Sequence, residues 1–519
     1  MISDGGYYDT HFREPLVEEN AFLRARSEDV SPPTFEQAWP ALPRPFWEGR
    51  EDVIACYRKA WELAFANLRR PEPGSGFVAN FIDTAFNDCL FMWDSALILL
   101  FARYGRRAFD FQRTLDNLYA KQHPDGFICR EVGTLDGKDR FERFDATSTG
   151  PNVMPWTEWE HYRDTADRER LSRVFPVLAA YHRWLRRHRT WRDGTYWTSG
   201  LGSGMDNQPR FTGRPAGVGW PERITYHGHL VWIDACLQQA LSADLLLRMA
   251  GILERSEEVA DLREEHGRLY HVVNERLWNE ETAFYHDELP GGTLSGVKTV
   301  GAYWALLAGA VPSERVTPFV GHLEDPGVFG RPHRVPSLSA DHPEYRGDGG
   351  YWLGGVWPPT NYMVMRGLDR AGYHELAHEL AREDLDHVVR VFKKTDTLWE
   401  NYAPEGASPG EPAKPDFVGW AGLAPVAGLI EYVLGLRADA PNTHLLWDVR
   451  LLEEHGVRRY PFGREGVLDV LCAARGSVGE EPRIRASSSV PLDLTVRWAG
   501  GERHLRVPRG RPLSGMSAL

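Results

Sequence analysis

The chain has 519 residues, 42% of them hydrophobic and 26% charged, the composition of a folded globular protein with room for one large domain and a smaller one. Its formal net charge of −13 at pH 7 argues against nucleic acid or an anionic membrane as a partner, since both select basic surfaces, and no apolar run is long enough to cross a bilayer. Five scattered cysteines without CxxC spacing (Cys56, Cys89, Cys129, Cys236, Cys472) and an opening that lacks the pattern of a secretory signal lead us to expect a cytoplasmic protein with reduced, buried thiols.

In chain order, residues 1–45 have weak periodicity and a proline-rich exit, and read as an arm laid over the main domain. Apolar residues three and four apart then recur over residues 46–438. Helices are expected to begin near Arg50, Trp93, Arg107, Met154, Arg168 and His229, and again near Glu257, Val300, Ser313, Pro358, His374 and Val418. Long loops rich in glycine and aromatics fall on alternate connections, at 72–92, 122–153, 191–228, 281–299, 324–357 and 395–417. Six helical hairpins with their long loops on one side describe an all-α toroid with a single functional mouth. Residues 439–519 change to short alternating runs such as PLDLTVRWAGG, the pattern of a small β-rich appendage.

The chain holds 19 Trp and 19 Tyr, many beside Gly, Pro, Asn or Asp. Such residues serve a large core, and they also stack on sugar rings in a carbohydrate pocket. Glycoside cleavage requires two carboxyl groups flanking the bond, and two stand in unusual loops. Asp206, in TYWTSGLGSGMDNQPRF, is followed by Asn207 and Arg210; it reads as a catalytic acid or as an Asx-type turn. Glu400, in DTLWENYAPEGASPG, sits between Trp399 and Asn401-Tyr402, as a catalytic group or as a solvated loop acid. Trp93-Asp94 opens a helix, where Asp94 lines a pocket or caps the helix. Gln122, Asp125, Gly126, Arg130 and Glu131 share a turn that is either a pocket wall or a structural salt bridge. Trp352 and Trp357 flank two glycines with Asn361 one helical turn on, a pattern that suggests a ring close to the backbone. Trp420 enters the last helix.

These segments, from MWDSALI through HPDGFICRE, SGMDNQPR, YWLGGVWPPTNYMVMRGL and WENYAPEG to FVGWAGL, resemble in order those of glycoside hydrolase families 63 and 37. The processing α-glucosidases, the glucosylglycerate and mannosylglycerate hydrolases and the trehalases belong there. The resemblance covers about residues 90–425 and implies an (α/α)6 barrel and an inverting mechanism, with Asp206 as general acid and Glu400 as general base. It also implies that Trp93, Asp94, Gly204, Tyr351, Trp352 and Trp357 surround the sugar, with Arg210 and Trp420 nearby. Gln122, Asp125, Arg130, Asn152, Asn207, Asn361 and Tyr402 complete the expected substrate contacts.

One departure falls on the sugar subsite: Thr149-Gly150-Pro151-Asn152 stands where the family pattern reads Thr-Gln-Pro-Pro, so trehalose and maltose-type α-glucosides are expected to be poor substrates. The loops and the arm are expected to crowd the mouth into a small closed pocket for an α-linked gluco- or manno-configured glycoside. Neither cofactor nor metal is required by the chemistry, and a structural calcium stays open; the rival readings are a phosphorylase, a lyase, or a carbohydrate-binding protein without turnover. Asp206→Asn and Glu400→Gln are each expected to lower kcat by at least about a hundredfold. Thermal melting should stay unchanged, and a collapse in melting temperature would mark either residue as structural.

Overall fold

A computed structural model describes residues 12–27, 30–84, 86–210, 225–416, 419–510 and 513–515. The barrel rests on two kinds of helix. α2 (Met92–Ala102, MWDSALILLFA) is apolar on every side, and all its residues are buried, as befits a helix enclosed by others. α5 (Arg168–His188) and α11 (His374–Thr395) keep one apolar stripe and carry Arg, Lys and Glu on the opposite face, so they stand outside.

The inner ring runs from α2 to α4 (Met154–Thr165), α6 (Ile233–Leu253), α8 (Trp304–Ala308), α10 (Pro358–Arg370) and α12 (Leu423–Val433). Each packs on the next, and α12 closes on α2. Outside them lie α1 (Glu51–Ala66), α3 (Thr114–Tyr119), α5, α7 (Ala260–Arg276), α9 (Ser313–Gly321) and α11. This is the (α/α)6 barrel, and all twelve expected segments are present. α8 is the shortest, prolonging a 3-10 turn at Val300–Tyr303; α12 is wound as a π-helix after a 3-10 turn at Trp420–Gly422.

Three inner helices show the barrel's polarity. Trp93 and Asp94 lie in the first turn of α2, Trp357 precedes α10 and Trp420 precedes α12, whereas Arg103, Arg366 and Glu431 lie at the far ends of the same helices. There Glu431, fully buried, accepts from Arg103 Nη2 (2.6 Å), Tyr104 Oη (2.9 Å), Tyr362 Oη (2.9 Å) and Arg366 Nη1 (3.0 Å). A second bond from Arg366 reaches Glu160 of α4 (2.5 Å). Charged groups therefore close one end of the ring, and the loops of the other end form the mouth.

Strands add to the barrel in two ways. A short antiparallel pair joins Cys89–Phe91 to Glu131–Gly133, with the Met92 amide donating to the Arg130 carbonyl (2.8 Å); this delivers Arg130 and Glu131 to the start of α2. The C-terminal region forms a five-stranded and a four-stranded sheet. The strands are β1 (Arg44–Trp47), β2 (Leu436–Asp439), β3 (His444–Asp448), β4 (His455–Phe462), β5 (Gly466–Cys472), β6 (Ile484–Ser488), β7 (Leu492–Trp498), β8 (Gly501–Val507) and β9 (Leu513–Gly515). The orders are β1-β4-β5-β6-β9 and β8-β7-β3-β2. β1 lies at the end of the expected arm and pairs Arg44 with Arg458 at the edge of a sheet. Its proline, which lacks a donor N–H, is tolerated at an edge and hid the strand from the sequence pattern.

Residues 14–24 run along α5: the Glu14 carboxylate meets Arg183 (3.3 Å) and Arg187 (3.4 Å), and Asn20 Nδ2 donates to the Tyr119 carbonyl (2.9 Å). Removing one member of a buried ion network leaves its partners uncompensated. Glu431→Gln should therefore lower unfolding stability by about 3–5 kcal/mol, measured by urea denaturation; a loss under about 1 kcal/mol would show that the closed end does not depend on that charge.

Candidate active site

The mouth contains a cavity of about 300 Å³, at the small end for a ligand site. Its walls are built by six separate segments. The pairing of 89–91 with 131–133 places Trp93, Asp94, Arg130 and Glu131 side by side. Asp206 comes from a turn in which the Ser199 hydroxyl accepts from the Gly202 amide (3.1 Å) and the Ser203 hydroxyl accepts from the Met205 amide (3.1 Å). Gly204 ends this turn at φ +73°, and a Cβ there would stand 3.0 Å from the Trp93 indole, so both the left-handed backbone and the close approach call for glycine. Asn207 then ties the turn to the third wall: its Nδ2 donates to the Gly350 carbonyl (2.9 Å) and its Oδ1 accepts from the Trp352 amide (2.8 Å).

That third wall carries Tyr351, a non-glycine residue at φ +65°, an uncommon backbone state that persists where surrounding contacts impose it. The Trp352 ring lies flat on Trp357 (centroids 3.8 Å, planes 1° apart). Trp420 meets Trp93 edge-on at 6.0 Å and Trp357 at 5.7 Å. Trp93, Trp352 and Trp420 line the cavity, and Trp357 backs Trp352.

Glu400 is set just behind the wall, buried. Its Oε2 accepts from the Lys414 amide (3.1 Å), its carbonyl accepts from Trp420 Nε1 (2.8 Å), and its Oε1 has no hydrogen-bond partner. Burial pushes Asp206 up to about 6, Glu400 up to about 7 and Asp94 up to about 8. Neighbouring charges add to this: Asp206 raises Glu400, and Glu400 raises Asp94, while Arg130 opposes the rise at Asp94 and Asp206. Desolvation and mutual repulsion thus bring three carboxyls into the range where protons move near neutrality.

Several expected contacts lie elsewhere. Gln122 donates to the Gly126 carbonyl (3.1 Å) and the Val177 carbonyl (2.9 Å), which fixes a loop. Asp125 holds Arg143 (3.1 Å) and Trp184 Nε1 (2.9 Å), the structural alternative for that turn. Arg210 is clamped by Asp234 (2.6 Å) and Asp287 (2.8 Å), both buried, so its guanidinium is already engaged within the protein. Asn361 donates to Asp384 (3.1 Å), and Tyr402 pairs its backbone with Val356 while its hydroxyl accepts from the Trp399 amide (3.3 Å). Asn152 faces α6, donating to Gln239 (3.0 Å) and Ser242 (3.1 Å).

The glycines around Trp352 serve the turn itself. A Cβ at Gly354, at φ +152°, would lie 2.4 Å from the Arg346 carbonyl oxygen and 3.1 Å from the Tyr345 ring, so the chain's own atoms exclude a side chain there. Among the described residues of the arm, 12–27 and 30–45, none lines the cavity. Sequence reasoning missed Phe86 and Asn87, which line it from the stretch leading into α2. Lys414, whose amide holds Glu400, was missed too. Among the described residues, no group of three or more His, Cys, Asp or Glu is placed to hold a metal ion, and no helix is long and apolar enough to cross a membrane.

Residues 89–418 match the family profile described as mannosylglycerate hydrolase MGH1-like glycoside hydrolase domain. Over 424 residues, 79% of this chain and 85% of the relative, the chain is 22% identical to an uncharacterised protein of Borreliella burgdorferi. It is 27% identical over 364 residues to the mannosylglycerate hydrolase of Thermus thermophilus, a match covering 57% of this chain and 85% of that one. The crystal structure of a GH63 mannosylglycerate hydrolase from Thermus thermophilus in complex with glucose superposes with a TM-score of 0.59. That superposition has 23% sequence identity and covers 71% of this chain and 99% of that one.

Two carboxyls with raised, mutually dependent affinities predict a bell-shaped pH profile for kcat/KM. Activity should fall on the acid side as the base gains a proton and on the alkaline side as the acid loses one. The limbs, which belong to the pair, should lie at about 6 and about 7. A profile flat from about pH 5 to about pH 8 would separate these carboxyls from the rate.

Proposed function

The chain belongs to the mannosylglycerate hydrolase MGH1-like glycoside hydrolases, and as a member of that family of glycosidases we propose that it hydrolyses a small α-linked gluco- or manno-configured glycoside with inversion. The observation that carries this reading is the pair itself: Asp206 on the cavity wall and Glu400 behind it, both desolvated, with Glu400 Oε1 left without a partner. An unpaired carboxylate oxygen in a buried site is the group that holds and deprotonates a water.

The reaction runs through the minor protonation state of the pair, since Asp206 (about 6) releases its proton before Glu400 (about 7): protonated Asp206 donates to the glycosidic oxygen as the bond from that oxygen to the anomeric carbon breaks. Glu400, ionised, takes a proton from a water that attacks the anomeric carbon from the opposite face. One C–O bond forms and one breaks, the leaving group departs as an alcohol, and solvent returns the two carboxyls to their starting states. Asp94, held up at about 8, remains protonated at neutral pH and donates a hydrogen bond to a sugar hydroxyl. Trp93, Trp352 and Trp420 exclude water and stack on the ring.

A cavity of about 300 Å³ favours one enclosed sugar with a short leaving group over a polymer. The activity named for the Thermus thermophilus relative favours a sugar joined to a small aglycone. A phosphorylase would have to seat a phosphate dianion against the unpaired Glu400 carboxylate, an arrangement that like charge opposes.

The test is to incubate the protein with a panel of α- and β-linked gluco- and manno-glycosides, including glycerate conjugates, and to follow the first product by proton NMR. Release of the β-anomer from an α-glycoside is expected, with starch and long dextrins untouched. Formation of the α-anomer first, or rapid hydrolysis of starch, would overturn the proposal.

A further inference from the structure

Gly150 stands where the resemblance calls for a glutamine, and the structure shows what lies beyond it. Gly150 lines the main cavity, and it also lines a second, smaller recess of about 30 Å³ between the 149–152 segment, the 198–202 turn and the first turns of α6. A Cβ at Gly150 would meet only Arg130 Cβ at 3.7 Å and Trp93 Cβ at 3.8 Å, ordinary contact distances. The backbone there does not demand a glycine; what the glycine does is leave the wall between the two spaces without a side chain.

The recess is polar and unfinished. Asn152, Gln238 and Gln239 line it and are 5%, 5% and 3% exposed. Gln238 Nε2, Gln239 Nε2 and Asn152 Oδ1 are all buried with no hydrogen-bond partner. The amides of Asn152 and Gln239 are tied at their other ends: Asn152 Nδ2 donates to Gln239 Oε1 (3.0 Å) and to the Ser242 hydroxyl (3.1 Å), itself paired with His182 Nδ1 (2.9 Å). Two donors and one acceptor are thus buried and unmet, one of each held in place, a combination that is costly unless a ligand completes it.

We infer that this recess is a subsite of the glycosidase reading above, taking one or two hydroxyl groups of the substrate's sugar through the gap at Gly150. A hydroxyl donates and accepts at once, so it meets Asn152 Oδ1 and a glutamine Nε2 together, whereas a carboxylate satisfies the donors and repels the acceptor. Arg189, also on the wall, does not call for an anion. It is held by the carbonyls of Asp145 (2.6 Å) and His188 (3.1 Å) and by the Ser148 hydroxyl (2.9 Å). The volume suits about two oxygen-sized groups, such as a hydroxymethyl or a pair of ring hydroxyls. Gln238 and Gln239 then select the sugar, and Gly150 admits it.

The experiment measures binding, so it does not depend on turnover. D-glucose, D-mannose and the 2-, 3-, 4- and 6-deoxy derivatives of glucose are titrated calorimetrically into the wild-type protein, Gln238→Met, Gln238→Met/Gln239→Met and Gly150→Gln, with thermal melting of each. One deoxy sugar should bind the wild type about tenfold more weakly than its parent, the size of a lost buried hydrogen bond. That gap should shrink in Gln238→Met and close to within about twofold in the double variant, while Gly150→Gln weakens the parent sugar. Equal binding of all the sugars, a gap that survives in the double variant, or no binding of either parent hexose overturns the inference. Hydrolysis without a glutamine-dependent gap defeats the subsite alone; a glutamine-dependent gap without hydrolysis defeats the proposed reaction alone.

Discussion

The arrangement depends on closing one end of the helical ring. Inner helices packed into a circle leave an axial channel, and a channel open at both ends would hold bulk water beside any carboxyl on its wall. Glu431, gripped by Arg103, Arg366, Tyr104 and Tyr362, fills the far end with a fully paired charge network, and the mouth becomes a blind cavity. Burial of that kind is tolerable only when every charge has a partner. The two ends therefore follow opposite rules: paired charges at the closed end, and at the mouth carboxyls left short of partners so that their proton affinities rise.

The raised carboxyls follow from that blind geometry. Asp94, Asp206 and Glu400 come from three different segments, and all are shifted chiefly by loss of water. Arg130 restrains the rise at Asp94 and Asp206 without cancelling it, because it also pairs with Glu131 (2.8 Å) and donates to the Leu201 carbonyl. The indoles keep the water out. Their edge-on and stacked contacts make a rigid lining, and rigid dipoles and charges in a water-poor space act more strongly on a developing charge than the same groups in solvent.

Much of this was legible in the sequence, for identifiable reasons. The helices announce themselves by period, and even the short α8 kept enough of it to be placed. Asp206, Glu400, Trp93 and Trp352 stood out because carboxyls and indoles beside glycines in long loops are hard to account for as core. What stayed hidden was pairing between distant segments. Glu131 reaches the cavity by the two-stranded pairing of 89–91 with 131–133, and three-residue strands carry no usable period. Gln122, Asp125, Arg210 and Asn361 looked like ligands because a buried polar residue in a loop reads the same whether its partner is a sugar or a distant side chain. Arg210 is the clearest case, since Asp234 and Asp287, far along the chain, take up its guanidinium. Gly150 was legible as a departure, but the recess behind it was not, because Gln238 and Gln239 sit inside an otherwise ordinary helix.

The central claim is that Asp206 and Glu400 form one desolvated, electrostatically linked pair, and carbon-13 NMR titration of their side-chain carboxyls tests it most directly. In the wild-type protein the two should titrate at about 6 and about 7, and Asp206→Asn should move Glu400 downward, because a neighbouring negative charge has been removed. A Glu400 carboxyl that titrates at about 4, as in water, and does not respond to Asp206→Asn would contradict it.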